Sequence, residues 1–384
     1  MNLLIIGGTG VLSSAVTAEA IKKGISVSMV NRGRRSVPDN VELIKADKDD
    51  YNAIESKIKG RNFDAVIDFL CLTLEQTRRS VNFYQKYSKQ YIFISSCAVY
   101  DTLTLNGQLG DEESPKGLDM WDYSIRKNES EEEVKNVLKN TDVKYTIIRP
   151  CVTYDDTRIP YGISPQYGCH WTLCARILYG KPIIRWNGGI NRCNMMRVED
   201  FAVGVVGTIG EKGAYNEAFN ICGDECPSWN DVISEMSRIL GKEVKTVDIT
   251  SDFYASHFPS KSGEILGGRS IDSINSNRKI KKLVKDFKQT IPLSKGIEKT
   301  IESYKSNNYQ KGIDWYFDAK TDRIIKLHLK YTNSNQKDLN LKFIDYLGNA
   351  KLSDKATYWC VRYFEEGALT KYLPRVVKKL CSLF

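Results

Sequence analysis

The sequence predicts an α/β protein: a doubly wound parallel sheet, a smaller α/β domain, and an extra α-helical tail at the C-terminus. Three observations carry this. The chain opens on the apolar run Leu3-Leu4-Ile5-Ile6, then Gly7-Gly8-Thr9-Gly10, a stretch of helical composition to Lys23, and a second apolar run from Ile25 to Val30. Short apolar runs then recur around 63–70, 91–94 and 145–148 with helical stretches between them, an order that builds a parallel sheet. Near the C-terminus the polar stretch from Tyr331 to Gln336 breaks the pattern before a last amphipathic segment. Residues 1–155 are expected to form most of the sheet domain, with later segments returning to it. Residues 156–330 then form the smaller domain and closing helices, and 331–384 the extension.

Composition bounds the partners. A chain of 384 residues allows two or three domains. With 41% hydrophobic and 27% charged residues it is not a disordered chain. Lys+Arg 56 against Asp+Glu 47 leaves +9, which permits an anionic partner. The charge is spread along the chain, however, and no RNA-recognition motif or aromatic-plus-basic platform stands out. Nucleic acid is therefore not expected as a primary partner. The ten cysteines are scattered and form no Cys-x-x-Cys pair. Cys169, His170, Cys174 and Cys193 match no common zinc spacing, so no metal is expected. Reduced cysteines, no basic leader after Met1, and no apolar run approaching about 20 residues point to a soluble cytoplasmic protein without a transmembrane segment.

The first forty residues carry phosphate-binding chemistry. Strand, glycine turn, helix and strand follow within about thirty residues, as in a dinucleotide-binding Rossmann domain. Gly7 and Gly10 let the backbone turn tightly against a pyrophosphate, while Val11 and Leu12 open the helix whose N-terminus offers free N–H groups. The third glycine of the usual pattern is Ser13, a small residue where helix and strand must pack closely. The second strand runs into Asn31-Arg32-Gly33-Arg34-Arg35, without the acidic residue that usually binds the ribose 2′-hydroxyl of NAD. Asn31 and Arg32, with Arg34 or Arg35, suit a 2′-phosphate, so NADP is favoured over NAD. Asp47 is placed to hydrogen-bond the adenine.

The middle of the sheet domain carries a second pattern. The strand from Tyr91 ends in Ser95-Ser96, and Tyr123 and Lys127 follow, spaced to share one face of a helix. An ammonium there lowers the tyrosine pKa, and the tyrosine can then exchange a proton with an alcohol hydroxyl while hydride moves.

Glycine turn, Ser-Ser at a strand end and Tyr-x-x-x-Lys together resemble the extended and atypical short-chain dehydrogenase/reductase family, in its NAD-dependent epimerase/dehydratase branch. The Arg149-Pro150 strand end with Tyr154 four residues on, Asn187-Gly188-Gly189 and Arg197-Val198-Glu199-Asp200 extend the resemblance over about residues 1–325. It implies Ser96, Tyr123 and Lys127 as the catalytic set, with Lys127 also holding the nicotinamide ribose. It implies Cys97, Tyr154, Arg192 and Arg278 as substrate-side candidates, a nucleotide sugar as substrate, and a homodimer. The chain departs from the 4,6-dehydratases at Cys97-Ala98, where they carry an Asp-Glu pair, so dehydration is disfavoured. An epimerase and a 4-keto-sugar reductase both remain open, as does a catalytically retired nucleotide-binding or RNA-binding relative. Tyr161, Gln166, His170 and Trp171 lie in the stretch expected to border a sugar. In the tail, a helix from Asp314 to about Lys330 precedes a segment at 341–347 and a basic amphipathic stretch over 356–384. That stretch either docks on the protein or makes peripheral contact with a membrane or partner.

Overall fold

Strand β1 (Asn2–Ile6) is buried at four of its five positions. Leu3 and Ile5 enter the core on one sheet face, Leu4 and Ile6 on the other, the two-residue alternation of a strand covered on both sides. The remaining strands are β2 (Ser26–Asn31), β3 (Val41–Lys45), β4 (Ala65–Asp68), β5 (Gln90–Ile94), β6 (Lys144–Pro150), β7 (Val152–Tyr154), β8 (Ile183–Trp186), β9 (Met195–Arg197), β10 (Glu217–Ile221) and β11 (Thr246–Ile249). The structure is a computed structural model that describes residues 1–309, 312–334, 339–341, 350–364 and 372. The chain divides into two units, one of residues 1–155, 192–226 and 271–293, the other of 156–191, 227–270 and 294–384.

The first unit is built on a seven-stranded sheet in the order β10-β6-β5-β4-β1-β2-β3. Every pairing in it is parallel. From β1 the chain winds outward to β3, then crosses back to β4 and continues to β5 and β6. The order therefore reverses between β1 and β4, and a crevice opens at the carboxyl ends of such strands. One face packs against the helices Val11–Lys22 and Val198–Val206 through Val16, Ala20, Phe201 and Val205. The other packs against Tyr51–Ile58, Leu74–Tyr84 and Asp122–Leu138 through Ile54, Val81, Tyr84, Val134 and Leu138. This is the doubly wound sheet that the alternation of runs predicts. Strand β6 stops at Pro150, which has no N–H to extend the ladder, and β7 pairs instead with β9 in a separate two-stranded sheet.

The second unit contains the parallel pair β8 and β11 and a core of large aromatic side chains. The Trp186 and Trp229 rings lie 5.7 Å apart. Both indole N–H groups donate to the Arg269 carbonyl, at 2.8 and 2.9 Å. The helix Trp315–Tyr331 starts where the sequence predicts, with the Asp314 carboxylate accepting the Phe317 N–H at 3.0 Å.

Of the tail, helix Leu352–Tyr363 begins four residues before the expected Ala356. It lays Tyr358 and Val361 on Ala319 of the Trp315–Tyr331 helix. The expected segment at 341–347 beyond Leu341, and the stretch beyond Phe364 except Tyr372, lie outside the described residues. Among the described residues no helix is long and apolar enough to cross a membrane.

Candidate active site

The glycine turn after β1 is left-handed twice over, with φ +112° at Gly7 and +81° at Gly8. A Cβ on Gly8 would also stand 2.4 Å from the Met29 sulfur, so only glycine fits there. Gly10 caps the Val11–Lys22 helix in extended conformation, and Val11 and Leu12 form its half-buried first residues. Ser13 does more than pack closely: its buried Oγ accepts the Gly10 N–H at 2.9 Å and fixes the turn's exit. The smallness of Ser13 was legible in the sequence; the bond was not.

Beside this turn lies an open pocket of about 590 Å³, bounded by Gly8, Thr9, Ser14 and Thr17 on one side and residues 35–39 on the other. Arg35 reaches across it to the Thr9 carbonyl. The Asn31 amide donates to the Gly7 carbonyl at 3.4 Å and its oxygen accepts the Gly33 N–H at 2.7 Å. Asn31 therefore ties the end of β2 to the glycine turn, and Arg32 beside it is exposed. Asp47 is exposed, and its carboxylate accepts the Asp49 N–H at 3.1 Å within its own loop. A left-handed glycine turn, a cradle that a Cβ would fill and a helix N-terminus together fit the pyrophosphate of a dinucleotide.

The Ser–Tyr–Lys residues sit at the carboxyl edge of β5 and on the Asp122–Leu138 helix. Strand β5 ends at Ile94, and Ser95 and Ser96 continue past it. Their fates differ. Ser95 is buried, and its hydroxyl donates to Glu131 at 2.6 Å. Ser96 is half-buried and caps the short turn Cys97–Val99 by accepting the Ala98 N–H at 3.1 Å. Tyr123 lies in the first turn of its helix, half-buried, with its ring 5.7 Å from that of Trp121. Lys127, one turn on, is buried; its Nζ donates to the Ile94 carbonyl at 2.8 Å and the Cys71 carbonyl at 3.0 Å. The Phe93 ring lies 4.9 Å from the same ammonium. Burial pulls Lys127 down to about 8, against the pull of Cys71, Asp68 and Glu131.

Behind these residues runs a buried polar network that sequence reasoning missed. Arg149 grips Glu131 with two bonds, at 2.9 and 2.7 Å. It also donates to the Tyr100 hydroxyl at 2.7 Å, which in turn donates to Asn220 at 2.7 Å. Two signals in the sequence pointed to it. Arg149 interrupts an apolar strand, which demands a buried partner. Glu131 continues the Tyr123–Lys127 stripe by one more turn.

The substrate-side candidates are dispersed. Cys97 is buried and its thiol donates to the Arg149 carbonyl at 3.2 Å; burial pushes that thiol well up. Tyr154 is buried under the Arg197 guanidinium, 5.6 Å from its ring. Arg192 pairs with Asp272 at 3.1 Å, and Arg278 is an exposed residue at the start of the helix Arg278–Leu283. In the second unit the Tyr161 hydroxyl donates to the Ile184 carbonyl at 2.7 Å. His170, pulled down to about 3 by burial, accepts the Ile159 N–H at 3.2 Å. Among the described residues no group of three or more His, Cys, Asp or Glu is arranged to hold a metal ion.

A parallel doubly wound sheet with a left-handed glycine turn after its first strand is the fold of the short-chain dehydrogenase/reductase type. The profile of the NAD dependent epimerase/dehydratase family matches residues 3–222, more than half of the chain, and the chain belongs to that family. Among solved structures it is similar to the dTDP-glucose 4,6-dehydratase of Bacillus anthracis in complex with NAD (TM-score 0.63, 19% identity, 80% of this chain and 97% of that one). It is likewise similar to the UDP-glucuronic acid 4-epimerase of Bacillus cereus in complex with NAD (TM-score 0.62, 18% identity, 80% and 99%). A curated relative, the 41 kDa chloroplast stem-loop binding protein b of Arabidopsis thaliana, is 25% identical over 258 residues, 62% of this chain. The match spans 63% of that relative, less than two thirds of its length.

Proposed function

We propose that the protein is an NAD(P)-dependent enzyme that modifies a nucleotide-activated sugar by hydride transfer at a sugar carbon, as an epimerase or a 4-keto-sugar reductase. The observation that carries this is Lys127: a buried lysine, anchored on the Ile94 carbonyl one turn from Tyr123, two residues of chain before Ser96. Its charge favours the tyrosinate, so Tyr123 can take the proton of a sugar hydroxyl or return it to a ketone oxygen. The Ser96 hydroxyl orients the same oxygen. The dinucleotide, when bound, accepts or supplies the hydride. Gly7, Gly10, Val11 and Leu12 are assigned to its pyrophosphate, Asn31 and Arg32 with Arg35 to a 2′-phosphate, and Asp47 to a hydrogen bond with the adenine. Cys97, Tyr154, Arg192 and Arg278 are assigned to the substrate side. Dehydration is not proposed, because Cys97 and Ala98 offer no carboxylate pair for the elimination. A homodimer fits the reading.

Native mass spectrometry of freshly purified protein tests it, through retained NAD or NADP and any co-purified nucleotide sugar. Tyr123→Phe should lower turnover of such a sugar by about 10²- to 10⁴-fold while dinucleotide binding stays. Turnover that survived this substitution would remove Tyr123 from the mechanism.

A second reading draws support from the stem-loop binding relative and the +9 charge: a catalytically retired member that binds RNA. Filter binding to a stem-loop RNA, with affinity falling steeply as salt rises, would favour it, provided no nucleotide sugar is turned over.

A further inference from the structure

Three consecutive residues at the end of β5 each hold the Asp122–Leu138 helix. The Phe93 ring lies against the Lys127 ammonium, the Ile94 carbonyl accepts from Lys127, and the Ser95 hydroxyl donates to Glu131. Ser96, the next residue, is the candidate catalytic serine. On the helix, Tyr123, Lys127 and Glu131 follow at four-residue steps. Each such step climbs about 6 Å and turns about 40°, so the three form one stripe. The strand end thus holds the helix at two successive turns, Lys127 and Glu131, and the deeper fastening is Glu131. Its two oxygens take two bonds from Arg149, one from Ser95 and an ion pair with Lys116 at 3.6 Å. Glu131 and Arg149 are both essentially unexposed.

We propose that Glu131 is a positioning residue for the Tyr123–Lys127 pair: held by Ser95 and Arg149, it sets the depth and rotation of the helix at which Lys127, one turn on from Tyr123, reaches the Ile94 carbonyl. The proposal rests on the dinucleotide-enzyme reading above. It also gives the carboxylate an electrostatic effect. The charged and titratable groups around Lys127 are Cys71, Asp68 and Glu131, and all three oppose the burial that pulls it down to about 8. A neutral side chain at 131 removes one of the three, so Lys127 loses its proton at lower pH.

The test is fluorescence titration of the full chain with NADH and with NADPH from pH 6.5 to 10, with circular dichroism and thermal melts alongside. In the wild type, binding is expected to weaken as pH rises through about 8, as the Lys127 ammonium is lost. Glu131→Gln is expected to bind about tenfold more weakly at pH 7.5, with its pH midpoint lowered by about half a pH unit. A Glu131→Gln protein with only a lower melting temperature, its affinity and midpoint unchanged, would overturn the proposal. Should that variant not fold, Ser95→Ala keeps the ion pair and removes one fastening. It is expected to lose about threefold in affinity with an unmoved midpoint, and unchanged affinity overturns the proposal. Lys127→Ala separates the two levels. If the wild type binds and Lys127→Ala binds as well, the assignment of Lys127 fails, and the positioning role with it. If Lys127→Ala loses binding and neither Glu131→Gln nor Ser95→Ala does, only the positioning role fails.

Discussion

The Lys127 ammonium donates to the Ile94 carbonyl at 2.8 Å, from a helix to the strand end that leads into Ser96. A lysine at the edge of a sheet would ordinarily reach into water. This one is turned inward, where two carbonyl oxygens replace its hydration and, among the described residues, no carboxylate hydrogen-bonds it directly.

That placement has a cost that depends on pH. Burial lowers Lys127 to about 8 from the ordinary 10.5. Between those values the unfolded chain keeps a proton that the folded one has released, so stability rises with pH across that window and this group contributes no slope below it. The rise is on the order of 3 kcal/mol, and Lys127→Met should lack it. Urea unfolding of both proteins at pH 7.5 and pH 10 checks this; equal pH dependence would mean that the amine is not buried as a cation.

Arg149 and Glu131 should behave as a unit. Arg149→Met leaves a buried carboxylate without its partner and is expected to cost about 3–5 kcal/mol. The double variant Arg149→Met with Glu131→Gln removes both charges and should cost less than the sum of the two single changes. A urea double-mutant cycle measures the coupling, and additivity would show that the two bonds seen between them carry no net energy.

The proposed NADP preference rests on the basic turn after β2. Arg32→Ala and Arg35→Ala should each weaken NADPH binding by about tenfold and leave NADH within about twofold, since only the former carries the 2′-phosphate. Equal losses for both, read by the same fluorescence titration, would count against the NADP preference.

The C-terminal helix should be part of the second unit's core. Asp322, fully buried, pairs with Arg176 at 2.9 Å, Lys181 at 2.7 Å and Arg362 of the tail at 2.9 Å. Asp318 takes Lys181 at 3.0 Å and a second bond from Arg176. Asp322→Asn leaves three buried cations with one carboxylate between them and is expected to cost about 3–5 kcal/mol. Truncation after residue 334 should likewise lower the melting temperature and speed proteolysis. A truncated protein as stable as the full chain would show that the tail is dispensable.

How much could be read beforehand differs by residue. Periodicity and glycine placement were enough for β1, the turn at Gly7 and Gly8, and the helix behind it, because strand alternation and left-handed φ are local constraints that composition records. The helix at Asp314 was legible as well, while its cap on the Phe317 N–H is a finding of the structure. The end of β5 was not. Nothing in Ser95-Ser96 says which serine turns inward, because that depends on Glu131 and Arg149, 36 and 18 residues away from their partners. That the Cys97 thiol donates to the Arg149 carbonyl was not legible either, because Arg149 lies 52 residues further along the chain.

By itself, then, the sequence determined the doubly wound class, the left-handed glycine turn and the Tyr123–Lys127 stripe, since each is written within a span of a few residues. Only the tertiary structure decided that Lys127 is an inward-facing cation, that Asn31 closes the glycine turn, and that the tail's Arg362 completes a buried charge cluster. Those outcomes depend on which distant groups share a low-dielectric interior, and charges removed from water are placed by their partners rather than by their neighbours in the chain.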